Sequence, residues 1–402
     1  MTDKFEKKIL ENGMTVILEK RDLPIISCAF AVKSGAKDEN EKEKGISHFI
    51  EHLLYKGTKK RTSLDISREI EMNGGQLNGF TSESIVAYWA KMPSDKIDIA
   101  LDVLSDLVKN PLFDEKEIEK ERQVIFEEIK MYKDNPRMHA LNRIKEKMYE
   151  SPFGMNIAGT YESMNGINRD KLIEYYKKTY TTNNLILCVV GDTTFEKLEK
   201  FALENFEKTE SKIEKRKITK KREEEIESRS GVDQANIIFA YPVPTANEKE
   251  NYAAEVLSTI LAGGMSSRLF TEIREKRNLA YSVKGDADIE KDFAYNMIFV
   301  GTMKENVEKV KKIIIEEIEK ISKEIEEIEI EENKNKIIGN FKIGCEDSQS
   351  QMDRLLISEI NGDAKELYEY EKNIKNVKKE EIQKIAKSAL ENYSFYALVP
   401  KD

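Results

Sequence analysis

Histidine, cysteine and tryptophan are scarce in this chain, and it has no long apolar run: 402 residues hold three histidines, three cysteines and one tryptophan. Cys28, Cys188 and Cys345 lie far apart, and two of them sit in apolar, strand-like runs. That spacing excludes a disulfide framework and a cysteine metal site, and predicts reduced, mostly buried thiols. No apolar stretch approaches the roughly 20 residues that a membrane-spanning helix needs. Residues 1–10 are polar and charged, without the apolar core of a secretory signal, so a cytoplasmic protein with no membrane partner is expected. Positive charge is not in excess either. The formal net charge of -9 argues against nucleic acid as the main partner, because binding phosphates needs a basic surface.

What the chain does contain suits a soluble globular protein with more than one core: 39% of its residues are hydrophobic and 35% charged. An apolar run over 183–190 ends at Gly191 and Asp192. After one more helix comes 207–230, almost all Lys, Arg, Glu, Ser and Thr, which reads as a solvated linker. The expected organisation is therefore a domain over 1–206, a charged linker over 207–230 and a second domain over 231–402. The two halves repeat one another. Residues 28–32 form an apolar strand followed by a polar loop, a helix carrying His48, and Gly57. Residues 237–241 form an apolar strand followed by a polar loop, a helix over 252–261, and Gly263. In this alignment Ala254, Leu257 and Ser258 stand where His48, Glu51 and His52 stand.

Amphipathic helices are predicted over 94–108, 115–132, 169–179, 305–323 and 379–391. Apolar strands are predicted over 85–90, 185–190, 295–300 and 395–399. The Ile- and Glu-rich run 313–332 is too brief for a coiled coil and reads as a surface helix. The fold class is α+β: two homologous domains, each a mainly antiparallel sheet with helices packed on one face.

The chemistry starts at residues 48–52, His-Phe-Ile-Glu-His, which use two of the three histidines. Helical residues three and four apart share a face, so both imidazoles and the Glu51 carboxylate point into one small volume. At roughly 100° per residue, His48, Glu51, His52 and Tyr55 lie on one side of the helix, and Ile46, Phe49, Ile50, Leu53 and Leu54 on the other. Two histidines on a polar face can be surface decoration. Their scarcity here and the well-formed apolar backing favour a pair of zinc ligands beside a carboxylate able to take a proton from water, as in the inverted zinc-peptidase motif.

A catalytic zinc takes three protein ligands and leaves a position open. The helix over 115–132 offers Glu121, Glu127 and Glu128, with Ile118, Ile125, Ile129 and Tyr132 as its buried face. Glu127 lies opposite that face and reads as a solvated charge. Glu121 and Glu128 lie on its flank, two turns apart, which selects Glu128 as the ligand. Glu121 is then a neighbour able to orient a histidine or the water, or else a surface salt bridge. His139, near Asn135 and Pro136, reads as an ordinary surface or loop histidine.

With these residues in view the chain resembles the pitrilysin family of inverted zinc metallopeptidases, and in particular its short two-domain bacterial members. The resemblance covers nearly the whole chain. It rests on HFIEHLLYKGT at His48, NGGQLNGFTS at Asn73, ERQVIFEEIKMYKDNP at Glu121 and GGMSSRLFTEIREKRNLAYSV at Gly263. It implies one zinc on His48, His52 and Glu128, with Glu51 as general base and Glu121 beside the ligands. It also implies an edge strand at Asn78, Gly79 and Phe80 that pairs with an extended peptide substrate. Arg274 and Tyr281, which the residues alone mark as a helix-surface cation and a strand aromatic, are implied to steady the tetrahedral oxyanion.

The chain departs from the family pattern at four positions. Gly79 stands in place of an alanine, Ser84 in place of a glutamate, and Ala262 and Asn278 in place of glycines. The expected activity is zinc-dependent endopeptidase. The expected assembly is a homodimer in which Arg274 and Tyr281 act on the partner's zinc site. The alternative is a non-catalytic scaffold or partner subunit, which relatives of this fold include.

Overall fold

The computed structural model of the chain describes residues 4–401. Met1–Asp3, where the polar N-terminal stretch begins, and Asp402 lie outside the described residues. The chain forms two compact units, neither of them a continuous stretch of sequence. One takes the chain up to Lys130, Asn156–Lys217 and Gly344–Leu367; the other takes Met131–Met155, Ile218–Ile343 and the chain from Tyr368 on.

In the first unit β1 (Phe5–Ile9), β2 (Thr15–Lys20), β3 (Ile25–Val32), β4 (Gln76–Thr81), β5 (Val86–Pro93) and β6 (Leu185–Gly191) form a sheet in the order β1-β2-β6-β3-β5-β4. Only β2 and β6 run parallel. In the second unit β7 (Glu224–Arg229), β8 (Ala235–Pro242), β9 (Ala280–Ile289), β10 (Ala294–Thr302) and β11 (Ser394–Pro400) are ordered β7-β11-β8-β10-β9. Here only β7 and β11 run parallel. The second sheet repeats the first strand for strand, with β8 in the place of β3 and the edge strand β9 in the place of the edge strand β4. Among the described residues β1 has no counterpart.

The helices are, in chain order, α1 (Ile46–Leu54), α2 (Ser63–Glu71), α3 (Ile97–Lys109), α4 (Glu115–Asp134), α5 (Pro136–Met148), α6 (Tyr161–Gly166) and α7 (Arg169–Thr179). They continue with α8 (Phe195–Asn205), α9 (Asn251–Ala262), α10 (Val307–Lys323), α11 (Glu327–Gly344), α12 (Ser348–Asn361), α13 (Tyr370–Lys375) and α14 (Lys379–Asn392). The Ile- and Glu-rich run is two helices, α10 and α11, broken at 324–326. Among the described residues no helix is long and apolar enough to cross a membrane.

Each sheet carries most of its helices on one face. In the first unit Cys28, Phe30, Tyr88 and Leu187 meet Phe49, Ile50, Leu104 and Leu107 in a single apolar core. The opposite face is not bare: α12 lies on it, with Ser348 hydrogen-bonded to Ser27 at 2.9 Å and the Gln351 amide donating to Glu19 at 2.7 Å. In the second unit α5 takes the matching place, its Ala140, Ile144 and Met148 packing on Ile238, Ala240, Tyr396 and Leu398. Strands covered on both faces are buried along most of their length and read as mainly apolar runs, as β3, β6, β8 and β11 do. Cys28 and Cys188 lie in β3 and β6 as free thiols, and burial pushes the Cys28 thiol up to about 12.

The stretch 207–230 is tied down rather than free. Thr209 and Ser211 hydrogen-bond to Thr182, Asn183 and Lys178 in the first unit. The change of unit falls between Lys217 and Ile218. Glu224–Arg229, read from composition as linker, is the edge strand β7. Its Glu225 meets Lys147 at 2.6 Å and Arg143 at 2.8 Å, and its Glu227 meets His139 at 3.0 Å. A charged edge strand needs no apolar side chains, because its backbone bonds hold it in the sheet. His139 accordingly sits on α5 inside this ion-pair network and not in a loop.

Candidate metal centre

Helix α1 begins at a device that the motif does not advertise. Gly45 has φ +96°, and a β-carbon there would lie 2.8 Å from the Ala158 carbonyl oxygen, so glycine is required. The Glu39 carboxylate accepts from the N–H groups of Gly45 at 3.0 Å and Ser47 at 2.8 Å, which places negative charge at the helix start. Lys44 lies 3.8 Å from Glu39 and donates to the Ala36 carbonyl at 2.8 Å, and both charged side chains are fully buried. Burial pushes Glu39 up and Lys44 down, and their mutual attraction opposes both shifts. Ile46, Phe49, Ile50, Leu53 and Leu54 then anchor the helix in the core, each worth about 1.5–3 kcal/mol of buried apolar surface.

On the other side of α1, His48 and His52 face Glu128 of α4, and candidate ligand atoms of all three lie within 4.8 Å of one another. His48 Nε2 is 3.6 Å from Glu128 Oε2, and His52 Nε2 is 3.7 Å from Glu128 Oε1. These separations are too long for hydrogen bonds but short enough for the groups to share one ion. Glu128 Oε2, the oxygen nearer His48 Nε2, is buried without a hydrogen-bond partner, which a bound cation would account for. Burial, with the neighbouring His52, pushes His48 down to about 3, so its imidazole is neutral and able to ligate.

Glu121 stands behind His52, its Oε2 3.2 Å from Nδ1 and its Oε1 2.7 Å from Lys56 Nζ. Burial alone would raise the Glu121 carboxyl, but the bonds to His52 and Lys56 outweigh it and hold it below the usual range. The same contact reverses the effect of burial on His52, which would otherwise lower that imidazole; with Glu51 and Glu128 close by, the net shift is upward. An ionised Glu121 favours the tautomer with hydrogen on Nδ1. The lone pair then lies on Nε2, the nitrogen nearer Glu128. Glu127 points to solvent, its side chain 77% exposed.

Glu51 is half-buried between the histidines and β4, and Thr81 donates to its Oε2 at 3.3 Å. Burial raises the Glu51 carboxyl, opposed in part by His52 and Thr81. Asn78, Gly79 and Phe80 lie in β4, whose other edge pairs with no strand of the sheet. Gly79 and Thr81 share the strand face turned toward α1. A β-carbon on Gly79 would meet Tyr55 Oη at 2.5 Å, Ala87 O at 2.9 Å and Glu51 Oε1 at 3.1 Å. Even an alanine is therefore crowded here.

Arg274 and Tyr281 belong to the second unit and form a pair of their own. Arg274 donates to the Tyr281 carbonyl at 2.8 Å, and its guanidinium lies 4.8 Å from the Tyr281 ring centre. Tyr281 is 80% exposed. Asn278, which replaces a glycine of the family pattern, keeps φ +54°, a conformation that asparagine tolerates better than most residues. In α9 the positions matching His48, Glu51 and His52, namely Ala254, Leu257 and Ser258, are buried.

Three contributors escaped the motif: Lys56, Thr81 and the Glu39–Lys44 pair. Lys56 sits one turn after His52, and Thr81 two residues after Gly79, so helix and strand periods could have pointed to both. The buried ion pair leaves no periodic trace.

Residues 15–161 match the family described as Insulinase (Peptidase family M16), and residues 166–337 match Peptidase M16 inactive domain. An uncharacterized zinc protease of Streptomyces coelicolor is 30% identical over 87% of this chain and 79% of its own length. The zinc protease YmxG of Bacillus subtilis, also uncharacterized, is 30% identical over 86% of this chain and 85% of its own. A crystal structure of a protease from Helicobacter pylori shares the fold, with a TM-score of 0.90, 23% identity and 99% of both chains covered.

Proposed function

Because the chain belongs to the insulinase, or M16, family of peptidases, we propose that it is a zinc-dependent endopeptidase acting on unstructured peptides or protein segments. The observation that carries this reading is the meeting of His48, His52 and Glu128 within 4.8 Å. The buried, unpartnered Glu128 Oε2 fits a cation.

His48, His52 and Glu128 would hold the zinc, which supplies a Lewis acid that polarises the scissile carbonyl and makes water nucleophilic near neutral pH. Glu51 takes the proton of the attacking water and passes it to the leaving amine, and its raised affinity for a proton suits a group that must both accept and return one. Glu121, pinned by Lys56, keeps the His52 ring turned. The open edge of β4 at Asn78, Gly79 and Phe80 takes an extended peptide through backbone hydrogen bonds, which favours unfolded substrates over any particular side chain. Arg274 and Tyr281 steady the oxyanion. In this reading they act on the zinc site of a second copy of the chain in a homodimer.

Metal analysis of the purified protein, with a quenched-peptide assay run with and without chelator, tests the activity. Protein that binds no zinc and cuts no peptide would instead be a scaffold or partner subunit. Mixing a Glu51→Gln chain with a Tyr281→Phe chain tests the shared site: activity should exceed that of either variant alone, and no recovery would sink the dimeric arrangement.

A further inference from the structure

Tyr55 closes α1 and sends its phenol oxygen back into the site, where it is buried and has no hydrogen-bond partner. A buried hydroxyl without an acceptor is costly to keep unless some state of the protein uses it. The ring is held in place, packed on the core and 5.8 Å from the Tyr88 ring, so the hydroxyl cannot simply turn out to water. Its position depends on the missing side chain at residue 79. The point where a Gly79 β-carbon would sit is 2.5 Å from Tyr55 Oη and 3.1 Å from Glu51 Oε1. Tyr55, the proposed base and the inner face of the edge strand therefore converge. Glu51 Oε2 already takes the Thr81 hydroxyl at 3.3 Å, and its other oxygen lies on the Tyr55 side.

We propose that Tyr55 is a positioning residue for Glu51, its hydroxyl donating to Glu51 Oε1 once a peptide lies along β4, and that Gly79 is the residue that leaves room for it. This rests on the peptidase reading. Thr81 and Tyr55 then hold the two carboxylate oxygens from opposite sides, fixing the plane in which Glu51 meets the water proton. Hydrogen bonds of this kind are often long in an unliganded enzyme and shorten when substrate expels solvent. Burial, reinforced by the Glu51 charge, raises the phenol well above its ordinary range, so it remains a donor throughout. The glycine in place of the family's alanine acquires a reason: a methyl group would occupy the place of the hydroxyl.

The test is a set of three zinc-loaded, full-length variants, Tyr55→Phe, Gly79→Ala and the double variant, assayed on a quenched peptide and by thermal unfolding. Tyr55→Phe should lower kcat about tenfold, the effect of losing one hydrogen bond to a charged acceptor, with KM and zinc content close to the parent's and Tm at or above it, because the unpaired hydroxyl is gone. Gly79→Ala should lower both kcat and Tm. The double variant should regain part of that Tm, because the phenol oxygen is gone. A Tyr55→Phe enzyme with the parent's kcat overturns the inference while leaving the peptidase reading standing. So does a loss of kcat that only follows a loss of Tm, or Tm losses that merely add. A parent chain that binds zinc and cuts nothing removes the peptidase reading and this inference with it.

Discussion

Replacing Glu121 separates a residue that organises the metal site from a charge that merely lies near it. Its side chain is only 6% exposed, and each carboxylate oxygen has one partner, His52 Nδ1 at 3.2 Å and Lys56 Nζ at 2.7 Å. Glu121→Ala removes both contacts, frees the His52 ring to turn, and leaves a half-buried ammonium unpaired. Loss of such a partner behind a ligating histidine weakens metal binding about 10- to 100-fold, or about 1.4–2.8 kcal/mol. Glu121→Gln keeps an acceptor oxygen for Nδ1–H and loses the charge, so its cost should be about tenfold or less. Zinc competition against a chromogenic chelator measures this, with circular dichroism to show that each variant is folded. The loss should also depend on pH. Glu121 raises His52, so in the parent a proton competes with zinc as pH falls, and the alanine variant relieves that competition. The difference between parent and variant should therefore be larger at pH 8 than at pH 6. Glu127→Ala, on the same helix and facing solvent, is the control. Parent-like zinc affinity in Glu121→Ala at pH 8, or an equal loss in Glu127→Ala, would refute the role.

Glu51→Gln should leave zinc bound and reduce peptide hydrolysis at least 10²- to 10⁴-fold, and normal turnover in this variant would remove Glu51 as the base. Glu39→Ala strands the buried Lys44 charge and two helix N–H groups, so chemical denaturation should show a loss of about 3–5 kcal/mol, with Lys44→Met on top restoring part; a loss below about 1 kcal/mol would contradict this. Asp353 on α12 has a buried, unpartnered oxygen, and burial together with Asp347 pushes it up to about 6. The folded state thus holds that proton more tightly than the unfolded chain, and the ionised form opposes folding above pH 6. Asp353→Asn should stabilise by about 1–2 kcal/mol at pH 7–8, allowing for partial exposure, with the gain fading between pH 6 and pH 4. A gain independent of pH would contradict the assignment.

The sequence shows an element clearly where burial falls on one periodic face. Arg169–Thr179 occupies the span read for it, and α3, α4, α10 and α14 lie within three residues of theirs. Ile118 and Ile125 set the phase of α4, and that phase brings Glu128 beside the histidines and leaves Glu127 in solvent. The edge strands β1 and β7 carry mainly charged side chains, so no apolar alternation marks them, and β7 passed for linker. Lys56 and Thr81 stand at helical and strand spacing from His52 and Gly79, but their contacts reach elements far apart in the chain, so spacing alone does not name their partners. Asn278 and Gly79 were legible only as departures; the reason for each lies in a torsion angle and in a neighbouring phenol oxygen.

The division of the chain was the least legible feature, for a physical reason that can be tested. A break in composition shows where a chain is solvated, but it does not show which sheet a helix covers. In the first unit Ala29, Ala31, Cys188, Val190 and Trp89 lie on the face away from the main helices, all buried. The helix over that face, α12, comes more than 150 residues after β6 and brings Met352, Leu355 and Leu356. Expressed alone, residues 1–206 would present those strands to water as a contiguous apolar patch, beside a Ser27 and a Glu19 deprived of Ser348 and Gln351. Such a fragment should bind anilinonaphthalene sulfonate, lose its near-ultraviolet dichroism and melt without cooperativity, as a chain with secondary structure but no fixed packing does. The full chain should do none of these. A fragment ending at 206 that melts in one sharp transition and binds no dye would mean that the first sheet needs no helix on its second face, and the reading of α12 as part of that unit's core would be wrong.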